Sequence, residues 1–149
     1  MIVRKSLFGQ LWALALCLSV FPGFAAESSS LPCFNAKLIW STDNPNVKDP
    51  KLKRVDPKLV ERFKKVFKWK YYYKINEEDF CVPIKGQKKI SLSKKCEIEV
   101  RDLGKPMIEV KLFGKGNLVK KIRQASVKCL VIAGDDKDDT AWFVVLIPQ

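Results

Sequence analysis

The densest group of chemistry-capable side chains is Asp135, Asp136, Asp138 and Asp139, four carboxylates within five residues. Left unpaired, such charges repel one another. A hard cation such as Ca²⁺, which takes oxygen ligands, would neutralise them, and so would lysines of the same molecule. The spacing is not that of an EF-hand. With Asp136 at position one, position six is Ala141 rather than Gly, and position twelve is Ile147 rather than Glu. An acidic hairpin tip that stays solvated, or that meets a basic surface, accounts for the same residues.

The chain contains no histidine. Ser-His-Asp and Cys-His catalysis are therefore closed, as are His-containing zinc sites. Ser91-Leu92-Ser93-Lys94 matches the S-x-x-K pattern of serine acylases. That motif works at a helix start with further signatures, whereas here it falls at the end of a predicted strand. Gly114-Lys115-Gly116 lacks the spacing of a phosphate-binding loop. No separated carboxylate pair stands out as an acid/base dyad, so the residues point away from an enzyme.

Four cysteines follow the N-terminal leader: Cys33, Cys81, Cys96 and Cys129. They contain no C-x-x-C pair for redox work, and they lack the closely spaced ligand pairs of a Cys₄ zinc site. An even count permits two disulfides. Cys96 and Cys129 both stand at the starts of predicted strands, which favours Cys96–Cys129 and leaves Cys33–Cys81 as the second pair. A free, buried thiol is the alternative.

A second set of residues is basic. The chain has 28 Lys and Arg against 16 Asp and Glu, and a leader carrying Arg4 and Lys5 would leave a surplus of ten positive charges. Such a surplus favours anionic partners. Asp56 can cap a helix that Pro57 opens. From there Leu59, Val60, Phe63, Val66 and Phe67 fall on one side at the helical period, and Lys58, Arg62, Lys65 and Lys68 on the other. The pattern predicts an amphipathic helix of about three turns. Its basic face, with Lys70 and Lys74 nearby, is the candidate binding surface. A solvated face on an ordinary docking helix is the plainer account of the same lysines.

Residues 1–26 read as a signal peptide. Arg4 and Lys5 precede an apolar run from Leu7 to Phe21, and Ala25 and Ala26 offer small residues for cleavage. Leu16 is too bulky for Cys17 to serve as a lipid-attachment site. Residues 27–35 read as a flexible N-terminus and 36–149 as one domain. Short strands are expected at 36–40, 69–75, 80–84, 88–93, 96–101, 107–113 and 118–122. Trp69, Tyr71, Tyr73 and Ile75 alternate with Lys70, Tyr72 and Lys74, a pattern shared by single-strand nucleic-acid platforms and by ordinary half-buried strands. Export argues against nucleic acid. The two most apolar runs, Cys129–Ala133 and Ala141–Ile147, flank the Asp loop and predict a buried hairpin.

The Asp56-Pro57 helix running into Phe67-Lys68-Trp69-Lys70, the Cys96-Glu97-Ile98-Glu99-Val100 strand, and Gly134-Asp135-Asp136 ahead of Thr140-Ala141-Trp142-Phe143-Val144-Val145-Leu146 together resemble a family of small, uncharacterised exported bacterial proteins. The resemblance implies export and a β-rich fold. It transfers no functional residues.

These readings converge on a mainly β domain, an antiparallel sandwich or partly open barrel of about seven to eight short strands with one flanking helix. The expected function is a non-catalytic binding or assembly module of the cell envelope, periplasmic or extracellular. Its partner would be an anionic envelope component or another envelope protein, and it would need no cofactor. The alternatives are a Ca²⁺-stabilised domain centred on Asp135–Asp139 and a hydrolase with a His-free site.

Overall fold

Strand alternation in this sequence is clean enough to predict the layers, and a computed structural model describes them for residues 30–135 and 138–149. The leader and residues 27–29 lie outside the described residues. The chain forms β1 (Cys33–Thr42), β2 (Lys53–Arg54), α1 (Pro57–Lys64), β3 (Tyr71–Cys81), β4 (Gln87–Ser93), β5 (Cys96–Asp102), β6 (Met107–Gly114), β7 (Asn117–Ala125), β8 (Leu130–Asp135) and β9 (Ala141–Pro148). They build a five-stranded sheet in the order β2-β3-β1-β9-β8 and a four-stranded sheet in the order β4-β5-β6-β7. All pairings are antiparallel. The architecture is a β-sandwich with one helix packed outside its larger sheet, not a closed barrel.

The period of two decides which side chains meet. Ile90, Leu92, Ile98, Val100, Ile108, Val110 and Leu112 of the smaller sheet face Phe34, Ala36, Leu38, Ile132, Val144 and Leu146 of the larger one. A second core lies beneath the helix, where Phe63 meets Ile39, Tyr72, Phe143 and Val145. The uninterrupted apolar run in β9 follows from this arrangement. Val144 and Leu146 face one core while Ala141, Phe143 and Val145 face the other, so β9 is buried on both sides.

Several expectations change. The C-terminal hairpin forms, but only β9 is central; β8 is an edge strand whose Val131 is exposed. β1 starts at Cys33, within the stretch read as a flexible N-terminus, because Cys33 and Phe34 pair with Cys81 and Phe80. The strands expected at 69–75 and 80–84 are one strand in two halves. β3 runs through both because β1 lies alongside it over its whole length, with a register shift opposite Leu38 and Ile39. Ile75 is the bulged residue and is exposed, while Tyr72 beneath α1 and Tyr73 beside Trp40 are both buried because this sheet is covered on both faces.

Cys33 and Cys81 are directly opposed and form a disulfide. The expected Cys96–Cys129 bridge is absent, and both residues are free thiols. The reason is the layering. Cys96 begins β5 in the smaller sheet, beside the end of β1 at Trp40. Cys129 precedes β8 in the larger sheet, at the level of the start of β1. At about 3.3 Å per residue, that offset along the strands is roughly 15 Å, beyond the reach of a disulfide.

Candidate anion-binding surface

The basic surface is organised by how α1 caps and docks. Asp56 accepts a hydrogen bond from the Lys58 N–H at 2.8 Å, and Pro57 occupies the first turn. Phe63 stacks on Phe143 with ring centroids 5.4 Å apart, and Phe67 reaches the same ring at 4.6 Å. Leu59 and Val60 complete the buried side. The helix ends at Lys64, after about two turns rather than three. Val66, assigned to the apolar face, lies beyond that end and is 74% exposed. Arg62 and Lys64 fall in the last turn, where positive charge complements the helix dipole.

With the apolar side committed to the sheet, the helix presents Lys58, Arg62, Lys64 and Lys65 to solvent. The Arg62 charge opposes the effect of burial on the Cys129 thiol ahead of β8; burial is the stronger of the two and pushes that thiol up. Lys64 shares a groove of about 590 Å³ with Arg54 of β2 and with Lys70, floored by Val60 and by Tyr71, Tyr72 and Tyr73; Asp56 and Glu61 line the same groove without pairing with these cations. The Arg54 guanidinium sits 5.9 Å from the centroid of the Tyr71 ring.

Ion pairing is denser on the smaller sheet than on this flank. On the outer face of the smaller sheet, Lys89 pairs with Glu97, Lys111 with Glu99, and Lys121 and Arg123 with Glu109. Glu109 is held below the usual carboxylate range, chiefly by the hydrogen bond from Arg123. On the flank, residues 51–70 carry nine Lys or Arg against only Asp56 and Glu61. Among the described residues, Arg54, Lys58, Arg62, Lys64, Lys65 and Lys70 form no ion pair.

The other residues picked out by sequence are engaged within the molecule. Lys68 pairs with Asp139 and lies 5.3 Å from the centroid of the Trp69 ring. Trp69 Nε1 donates to the Asp139 carbonyl at 2.9 Å, tying the acidic loop to the segment after α1. Lys74 is drawn onto Glu77, which also accepts from Lys37 and Asn35. These contacts, the Lys37 hydrogen bond first, hold the Glu77 carboxyl down at about 2.

Asp138 is exposed, like Asp139, and both take left-handed backbone conformations in the hairpin turn. The expected position of Asp136, and the side chain of Asp135, lie outside the described residues. Among those described, no three acidic, cysteine or histidine side chains are grouped to hold a metal. The helix period located Lys58, Arg62 and Lys65. It could not find the groove, because Arg54, Lys64 and Lys70 come from three segments that only the fold brings together.

Comparison of the chain with protein-family models, with curated proteins and with solved structures found no match.

Proposed function

We propose that the protein is a non-catalytic, exported binding module of the cell envelope that holds a polyanionic partner against the flank formed by α1, β2 and the start of β3. The observation that carries this reading is the unbalanced charge of that flank, nine Lys or Arg against Asp56 and Glu61 over residues 51–70, with Arg54, Lys64 and Lys70 in one groove beside those two acids and in ion pairs with no carboxylate among the described residues. On the smaller sheet, by contrast, Lys89, Lys111, Lys121 and Arg123 are met by glutamates. The helix offers charge rather than insertion, since Phe63 and Phe67 are spent on Phe143. The Cys33–Cys81 disulfide supports an oxidising compartment. The lack of histidine, together with a Cys96 thiol pushed up to about 11, first by burial and then by Glu97, supports a role without catalysis.

The test is retention on an acidic polysaccharide matrix and on anionic vesicles at rising salt. Retention is expected at low ionic strength and should fade between about 0.1 and 1 M salt as the screening length shortens from ~10 to ~3 Å. Reversing Arg54, Lys64 and Lys70 to Glu should abolish it. The same number of reversals at the exposed Lys88, Lys94 and Lys120 should leave most of it. Equal losses from the two triple variants would refute a localised flank.

A further inference from the structure

A second cavity, sharing no residue with the basic groove, opens between the two sheets at the end where β1 finishes. It has a volume of about 600 Å³, within the range of small-molecule sites. Trp40 and Trp142 line it from the larger sheet, and Leu112 and Phe113 from the smaller one. Two conformational features shape it. Gly134 lies opposite Trp142, and a Cβ there would stand 2.2 Å from the indole, so glycine lets the ring lie flat across β8. Gly114 lets Val119 close over the backbone, since a Cβ would come within 2.9 Å of its methyl group.

The lip of this cavity is apolar and open. Ile75 is 44% exposed and Val119 is 54% exposed, a concentration of uncovered aliphatic surface that water disfavours. Beside it stand two cations on two-residue hairpin turns. Lys95 lies between the paired Ser93 and Cys96, and Lys115 between the paired Gly114 and Asn117. The Lys115 N–H donates to the Lys95 carbonyl at 3.0 Å, which fastens the two turns together. Both lysines line the cavity, and neither pairs with a carboxylate among the described residues.

From this arrangement we infer that the cleft is a binding site for an amphipathic monoanion of the long-chain carboxylate class. The alkyl tail lies between Trp40, Trp142 and Phe113, and the head group rests between Lys95 and Lys115. The occupant is an anion because both charged groups at the mouth are positive. It carries a flexible chain because the walls are apolar, and the opening between the sheets continues their core.

The probe is sodium dodecanoate below its micelle-forming concentration, followed by tryptophan fluorescence and calorimetry on the folded domain. Saturable binding of one molecule per chain is expected, with 1-dodecanol at least about tenfold weaker. The exposed double variant Lys95→Glu/Lys115→Glu should weaken dodecanoate about tenfold and leave dodecanol unchanged. Val119→Trp, which fills the mouth, should weaken both, with its melting temperature confirming that it is folded. The flank variant reversed at Arg54, Lys64 and Lys70 should bind dodecanoate normally, so that failure of this site and failure of the basic flank are told apart. Absence of saturable binding, equal binding of the alcohol and the carboxylate, or association with anionic vesicles but not with monomeric dodecanoate would each overturn the inference.

Discussion

Phe143 is the residue on which the helix layer depends. Its ring contacts Phe63, Phe67, Trp69 and Tyr72, and it is fully buried. Phe143→Ala is expected to cost about 3–5 kcal/mol by denaturant unfolding, since these neighbours are too rigid to close the cavity. It should also weaken polyanion binding by loosening α1. Glu77 offers a separate test at the same scale. Its folded-state carboxyl titrates at about 2, below the ordinary 4.5, so its pairing stabilises the fold above pH 4.5 and is lost as pH falls toward 2. In urea midpoints measured from pH 7 down to pH 2.5, Glu77→Gln should be less stable at neutral pH. It should also lose less on acidification than the parent; parallel curves would contradict the assigned pairing. Neither role could be read from single residues. Phe143 is one member of an apolar run, and Glu77 is one acid among Glu77, Glu78 and Asp79, until strand register chooses its partners.

Elements were legible where one physical rule governs them. β4, β5 and β6 each turn one apolar face to the core, so alternation predicts their bounds nearly to the residue. The capping of α1 was equally plain from Asp56-Pro57, whereas its end was not, because Val66 satisfies the helical period without being buried. The register shift opposite Leu38 and Ile39 has no local signature, and it left Ile75, expected on a core face, unpaired and exposed. Pairing of the cysteines depends on which strands share a sheet, which is information about topology rather than spacing. The Cys33–Cys81 link closes a loop of 48 residues between adjacent strands. Replacing both with Ser should lower stability by about 2–4 kcal/mol, read as a drop in the urea midpoint, while Cys96→Ser should have a much smaller effect.

For the whole molecule, the fold sorts charge that composition only sums. The smaller sheet holds Lys89, Lys111, Lys121 and Arg123 in cross-strand ion pairs, the acidic hairpin tip is drawn onto Lys68, and the α1 flank keeps its surplus. Net charge by itself only favours anionic partners in general, and the helix period located half of the basic surface. The groove itself waited on the approach of β2 and Lys70 to α1. The two cavities divide the molecule between a long-range electrostatic surface and a short-range apolar cleft. The central claim concerns the first, and the salt dependence of affinity for a linear acidic polysaccharide tests it most directly. The predicted result is an affinity that falls steeply with salt for the native domain, and a weak, nearly salt-independent affinity once Arg54, Lys64 and Lys70 are reversed. An unchanged salt dependence in that variant would contradict it.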